Sequence, residues 1–333
     1  MNKNILTVVG ITTLFLGICI TPSIAVDNIE QCSMPASNGK TLYVGGTGEG
    51  NYTTIQIAIY KANPGDTVFV YDEGSPYYEN IHIEKPINLI GENKNTTIID
   101  GRDDNVIYIW CDYVEISNFT IISRFLDLWH LYGIAIRPGC GDFSRISNNI
   151  IKNSRAAIRI QGASESLTIS HNILEKGSSG ISLGESSNSN ISYNIIKKFK
   201  YGISISSDGV SNNIIMRNQF EENDIGLYIE LASDSGKVMQ NNFINNKRDI
   251  LFYIEHPIRQ HRLRLLNPIY TNNYYDTWRG IGPKWIIGCA IIFEIPFFIP
   301  FTPGVFIIPI LIIPWIMFDK HPAKEPYDIE GVI

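Results

Sequence analysis

The residues best equipped for chemistry in this 333-residue chain recur at a near-constant interval. Arg159, Ser182, Ser204 and Tyr228 stand 23, 22 and 24 positions apart, and Arg137, Gln161, Ser206 and Glu230 keep step with them two places downstream. Brought onto one flat surface, such groups hydrogen-bond and stack the rings of an extended glycan. A solvated face uses the same residue types, so the columns are a ligand surface only if the fold aligns them. The candidate carboxylates are Glu185 and Asp208, with Glu165 and Asp234 near the same turn of neighbouring units. Converging oxygens there would hold Ca²⁺ or divide into acid and base, with Arg159 as the electrophilic partner. No other cofactor is expected. Copper needs clustered His, Met or Cys. His82, His130, His171, His256, His261 and His321 are scattered, with no His-x-His or Met-rich run.

What must position these side chains is a repeat. Ile/Val-x-x-Asn-x-Ile/Phe recurs with its asparagine at Asn149, Asn172, Asn194, Asn218 and Asn241. A second register runs in phase with it: Gly133-Ile134-Ala-Ile136, Ala157-Ile158-Arg-Ile160, Gly180-Ile181-Ser-Leu183, Gly202-Ile203-Ser-Ile205, Gly226-Leu227-Tyr-Ile229 and Asp249-Ile250-Leu-Phe252. Two registers sharing one period of 22 to 24 residues mark a repeat architecture. Each unit holds short period-2 stretches punctuated by Asn, Gly or Ser and lacks a helix-length segment. The expected fold is therefore all-β, a single-stranded right-handed parallel β-helix of about eight to ten coils stacked ~4.8 Å apart. The periodic asparagines read as a structural turn ladder, because Asn tolerates left-handed backbone and its amide can bond its counterpart one coil away. Cys111 and Cys140 precede Ile116 and Ile146 by five and six places, so they fall in matching turns where a disulfide can close.

The composition agrees: 59 Ile supply strand formers and 30 Asn supply turns. A net charge of −6 excludes a polycationic nucleic-acid binder. Residues 1–25 read as a signal peptide, with a cationic start, an apolar run and a small-x-small site ending at Ala25, an uncleaved anchor being the alternative. Residues 26–50 form a leader and first strand, and residues 51–283 the helix proper. Thr53 with Gln56 suggests a capping box, and Tyr52 with Ile57 a staple, for a short helix over the open end of the stack. Insertions at 124–132 and 256–266 lengthen two coils. Residues 284–333 are a proline-rich apolar tail. From Trp285 to Phe318 its only charge is Glu294, and five prolines break any helix, so it reads as an extended cap or a membrane-associating hairpin.

Tyr52-Thr-Thr-Ile-Gln56, Pro64-Gly-Asp-Thr-Val68, Ile87-Asn-Leu-Ile-Gly-Glu92 and Thr97-Ile-Ile-Asp-Gly101, followed by the Asn repeats and the tail around Trp315 to Tyr327, resemble the exported parallel β-helix proteins of prokaryotes. These have pectin-lyase-like folds and are grouped with the NosD/periplasmic copper-binding β-helix family. The resemblance implies fold and export, to the periplasm, the cell surface or the medium. That fold hosts lyases, hydrolases, epimerases and inert scaffolds alike. The expected function is a non-catalytic scaffold binding an extracellular polysaccharide or a surface protein along its stacked face. The alternatives are a polysaccharide lyase, glycoside hydrolase or epimerase and, against the residue evidence, a copper-delivery accessory.

Overall fold

The computed structural model describes residues 39–102, 104–123, 131–162, 164–206, 212–230, 236–255, 269–278, 284–298 and 305–329. The chain coils into a parallel β-helix with two long sheets. The first sheet stacks ten strands, beginning with Thr41–Val44, Thr67–Val70 and Asn88–Gly91 and ending with Lys237–Met239 and Ile269–Thr271. The second carries Ile81–Ile83, Ile107–Ile109 and Tyr132–Ile136, and then the strands containing Ile158, Ile181, Ile203, Leu227 and Ile250.

Alternation sets the faces as the repeat predicts. Ile134, Ile158, Ile181, Ile203, Leu227 and Ile250 are at most 6% exposed, and so are Ile136, Ile160, Leu183, Ile205, Ile229 and Phe252. Isoleucine meets isoleucine from coil to coil, and Phe220, Phe243 and Tyr275 continue the interior as a parallel ring stack at 4.8 and 5.1 Å. Those distances match the spacing of hydrogen-bonded strands.

The asparagine ladder is present and longer than the repeat suggested. Each rung donates its backbone N–H and its side-chain amide to the Oδ1 of the next. Asn149 does so to Asn172, Asn172 to Asn194, Asn194 to Asn218, Asn218 to Asn241 and Asn241 to Asn273, at 2.9–3.2 Å. The same Nδ2 also reaches a carbonyl of the preceding coil, as from Asn172 to Ile146. Asp319, wholly buried, ends the series by accepting from the backbone and amide of Asn273. A carboxylate suits the last rung because it accepts without needing a further rung to donate to. The left-handed backbone lies one residue earlier than expected, at Asn118, Asn148, His171, Tyr193, Arg217, Gln240 and Asn272 (φ 52–66°). The ladder asparagine turns its amide into the stack, while its predecessor makes the corner and points its side chain outward.

At the N-terminal end the helix Ile55–Lys61 buries Ile55, Ala58 and Ile59 against the first coils. Its cap is not the expected box. Thr54 accepts from Ile57 N–H, and the carboxylate of Glu79 accepts from the Ile55 and Gln56 N–H groups at 2.8 and 2.9 Å. Gln56 instead pairs with the backbone of His82, and Ile57 is 49% exposed, so no staple forms. At the other end, Lys284–Phe298 and Val305–Asp319 form an antiparallel hairpin that joins the second sheet through Tyr253–Glu255. The chain then returns to the stack, where Tyr327 exchanges backbone bonds with the side chain of Asn242. No helix among the described residues is long and apolar enough to cross a membrane.

Candidate functional site

The expected columns exist as registered neighbours on the outside of the second sheet. Strand pairing places Arg159 beside Ala135 and Ser182, Ser182 beside Ser204, and Ser204 beside Tyr228. Ser206 aligns with Glu230 one column over. Their side chains differ in what they can do. Ser182 is buried and accepts from Arg159 Nη1 (3.1 Å), and the Ser204 hydroxyl is bonded to that of Ser179 (2.9 Å). These serines, with Ala135 and Ala156, make a low floor rather than a row of projecting donors.

Larger groups stand on either side of that floor, and the most organised of them were not read from the sequence. Tyr108 and Trp110 pack edge to face at 5.4 Å, with His82 against both. The Arg137 guanidinium lies 4.3 Å over Trp110, and that of Arg159 lies 5.3 Å over Tyr132. Tyr108 donates its hydroxyl to Gln161 Oε1 (3.1 Å), locking neighbouring columns together. The indole N–H of Trp110 and the Nε–H of Arg159 have no hydrogen-bond partner among the described residues. Tyr201 and Tyr228, 5.2 Å apart, form the opposite wall. A guanidinium over an aromatic ring gains cation–π attraction while still carrying N–H donors for carboxylates and hydroxyls. The signal for these residues was available: Ile107-Tyr-Ile109 repeats the pattern of Ile134-Ala-Ile136, and Tyr132 precedes its repeat glycine as Tyr201 does. Irregular coil lengths before residue 146 obscured it.

Of the carboxylate candidates, Asp208 and Asp234 lie outside the described residues. Glu185 is exposed, and Glu165 aligns with Ser187 rather than with Glu185. The insertions at 124–132 and 256–266 also lie largely outside the described residues. Cys111 and Cys140 are both buried, and the Cys140 thiol donates to the carbonyl of Trp110, the residue preceding Cys111, at 3.3 Å. His171 stacks on Tyr193 at 5.0 Å, and Tyr193 in turn accepts from Arg217. Burial, and then the charge of Lys94, hold the His171 imidazole below its ordinary value of 6.5.

A family model described as periplasmic copper-binding protein (NosD) matches residues 60–257, more than half of the chain. The chain belongs to the NosD family. Membership supports an exported protein. Among solved structures, the chain is similar to the Dettilon tailspike protein, with 11% identity, 71% of this chain and 55% of that one covered, and a TM-score of 0.45. It is also similar to the enzymatically active domain of bacteriophage CBA120 tailspike protein 2 (13%, 72% and 46%, TM-score 0.45). The A-module of an Azotobacter vinelandii mannuronan C-5 epimerase matches at 8% identity, covering 67% of this chain and 83% of that one, with a TM-score of 0.39. The chain spans about half the length of the tailspike structures. No curated protein sequence matches it. Among the described residues no three His, Cys, Asp or Glu gather to hold a metal ion such as the copper of the NosD description. His82 sits in the aromatic cluster and His171 on a corner column, while His321 follows Asp319 at the far end of the ladder.

Proposed function

We propose that this NosD-family chain is an exported scaffold that binds an extended polysaccharide, favouring one that carries acidic groups, across the outer face of the second sheet. The observation that carries this reading is the cluster of Tyr108, Trp110, Tyr132, Arg137, Arg159 and Gln161, joined by ring, cation–π and hydrogen-bond contacts. Pre-ordered aromatic and guanidinium groups lose little conformational entropy on binding. The face is also locally cationic on an acidic chain. Arg137, Arg159 and Arg248 stand against Glu230 in its columns, while the whole chain is at −6. Sugar rings repeat at a spacing comparable to one coil, so a chain laid along the stack meets a new row of side chains at each step. A glycan array probed with the whole exported chain, followed by product analysis on every hit, tests this. Binding of an acidic glycan without turnover supports the scaffold. Cleavage or epimerisation of the hit makes the protein a polysaccharide-active enzyme instead.

We further infer that the hairpin of Lys284–Phe298 and Val305–Asp319 holds the chain at a membrane surface. Three of its positions pair with the second sheet, and its sequence from Trp285 to Phe318 has one charge. Extraction of cell envelopes with detergent-free buffer, on chain whose N-terminus has been cut after Ala25, decides: retention supports the hairpin as an anchor, and complete release contradicts it.

A further inference from the structure

Asn-x-Ser/Thr, the acceptor pattern for N-linked glycosylation of exported chains, occurs four times, at Asn51, Asn95, Asn118 and Asn190. The group it receives is bulky and hydrophilic, so the folded chain must leave the side-chain amide free at the surface. The fold separates the four positions. Asn51 is half-buried, and its Nδ2 donates to the carbonyl of Gly45 at 2.6 Å. Asn118 is a half-buried corner residue whose Oδ1 accepts from Asn148 one coil on. Asn190 is exposed, but it lies in the first-sheet strand Asn190–Ser192 and is flanked by Thr168 and Ile214 of the neighbouring coils. Asn95 is exposed and lies in a surface loop, residues 92–97, between the strands Asn88–Gly91 and Ile98–Asp100.

The other side chains of that loop are spent on holding it. Glu92 accepts from the Asp72 N–H, Lys94 donates to Asn148 Oδ1 (3.2 Å), and the Thr96 hydroxyl donates to Asp72 (2.6 Å). Asn93 Oδ1 accepts from the Asn95 N–H (3.0 Å), and Thr97 Oγ1 accepts from the Asn93 N–H (3.1 Å). The Asn95 side chain alone has no bond among the described residues, so the loop is complete without it. We propose that Asn95 carries an N-linked glycan, attached as the chain is exported. Its Nδ2 bonds to the anomeric carbon of a sugar delivered on a lipid-linked oligosaccharide, the lipid phosphate leaves, and the amide gives up a proton. Thr97 is wholly buried and its hydroxyl is engaged in the finished loop, so the transfer precedes folding of this coil. Asn95 lies off the outer face of the second sheet, and its modification rests on export, not on that face binding a polymer.

The test is mass spectrometry of peptides covering residues 93–102, from the whole chain purified out of the exported fraction of the cells that naturally make it. In most copies the peptide is expected to carry a glycan mass that electron-transfer fragmentation localises to Asn95. Thr97→Val, which leaves Asn95 in place but removes the hydroxyl of the acceptor pattern, should abolish that mass, and Thr97→Ser should retain it. Because Thr97 is buried, Asn95→Gln, made on an exposed side chain, keeps the test standing if Thr97→Val does not fold: the intact chain should then lose the mass of one glycan. An Asn95 peptide recovered wholly unmodified from exported chain overturns the proposal and leaves export standing. A mass that survives Thr97→Val, or an intact mass unchanged by Asn95→Gln beyond the substitution itself, also overturns it.

Discussion

At the residue scale, the buried amides do more than turn the chain. Asn194 is fully buried; its Oδ1 takes two bonds from Asn172, and its Nδ2 serves Asn218, Ile169 and Ser192. Asn194→Ala should therefore destabilise the chain by about 3 kcal/mol, since several buried groups lose partners at once. A loss below ~0.5 kcal/mol in denaturant unfolding would contradict the ladder's role. His171 tests the outer side of the same corner. Its folded-state value lies below 6.5, so the unfolded chain binds the proton better. Its contribution to stability should be full above pH 6.5 and decline as pH falls toward the lowered folded value, and an NMR titration midpoint at or above 6.5 would refute this. Cys111 and Cys140 are both buried, and the Cys140 thiol bonds the carbonyl of the residue before Cys111, so the two should join under the oxidising conditions of export. Thiol alkylation of the denatured protein before and after reduction counts the pair, and full labelling without reductant excludes the bond. The ladder asparagines were legible from spacing alone. Asp319 was not, because it follows a hairpin with no repeat signature.

At the element scale, close stacking is set by the small column beside the inward isoleucines. Gly226 leaves no room for a methyl group, with Phe243 Cδ1 at 2.9 Å and the Asp249 carbonyl at 2.6 Å from an added Cβ. Gly226→Ala should cost about 1–3 kcal/mol through overpacking, measured by thermal or denaturant unfolding, and a neutral effect would mean that the coils are more loosely packed than described here. The strands themselves were readable, since isoleucine alternation has one meaning when both registers share a period. The helix cap was not, because Glu79 is remote in sequence from the helix start it serves. Sequence rules for caps consider neighbours within a turn, whereas this fold brings the next coil equally near.

At the scale of the whole molecule, the parallel stack turns sequence period into a surface. Residues one coil apart become lateral neighbours, so a binding face is assembled from single side chains contributed by many coils. That architecture was legible in the two registers. The composition of the face was legible only where the period is regular. Arg159, Ser182, Ser204 and Tyr228 fall in one column, but the serines form a floor, and the organised cluster begins on the irregular coils carrying Tyr108, Trp110 and Tyr132. The hairpin at the end was readable as apolar and proline-broken, and its pairing with Tyr253–Glu255 depends on contacts that no local pattern encodes. The most direct test of the binding face is the affinity of the array-selected glycan for the native chain and for the Arg137→Ala/Arg159→Ala pair, measured calorimetrically at two salt concentrations. The account predicts a loss of at least about tenfold in the double variant and a weaker salt dependence, because two charge contacts are removed. Unchanged affinity and salt dependence would contradict it.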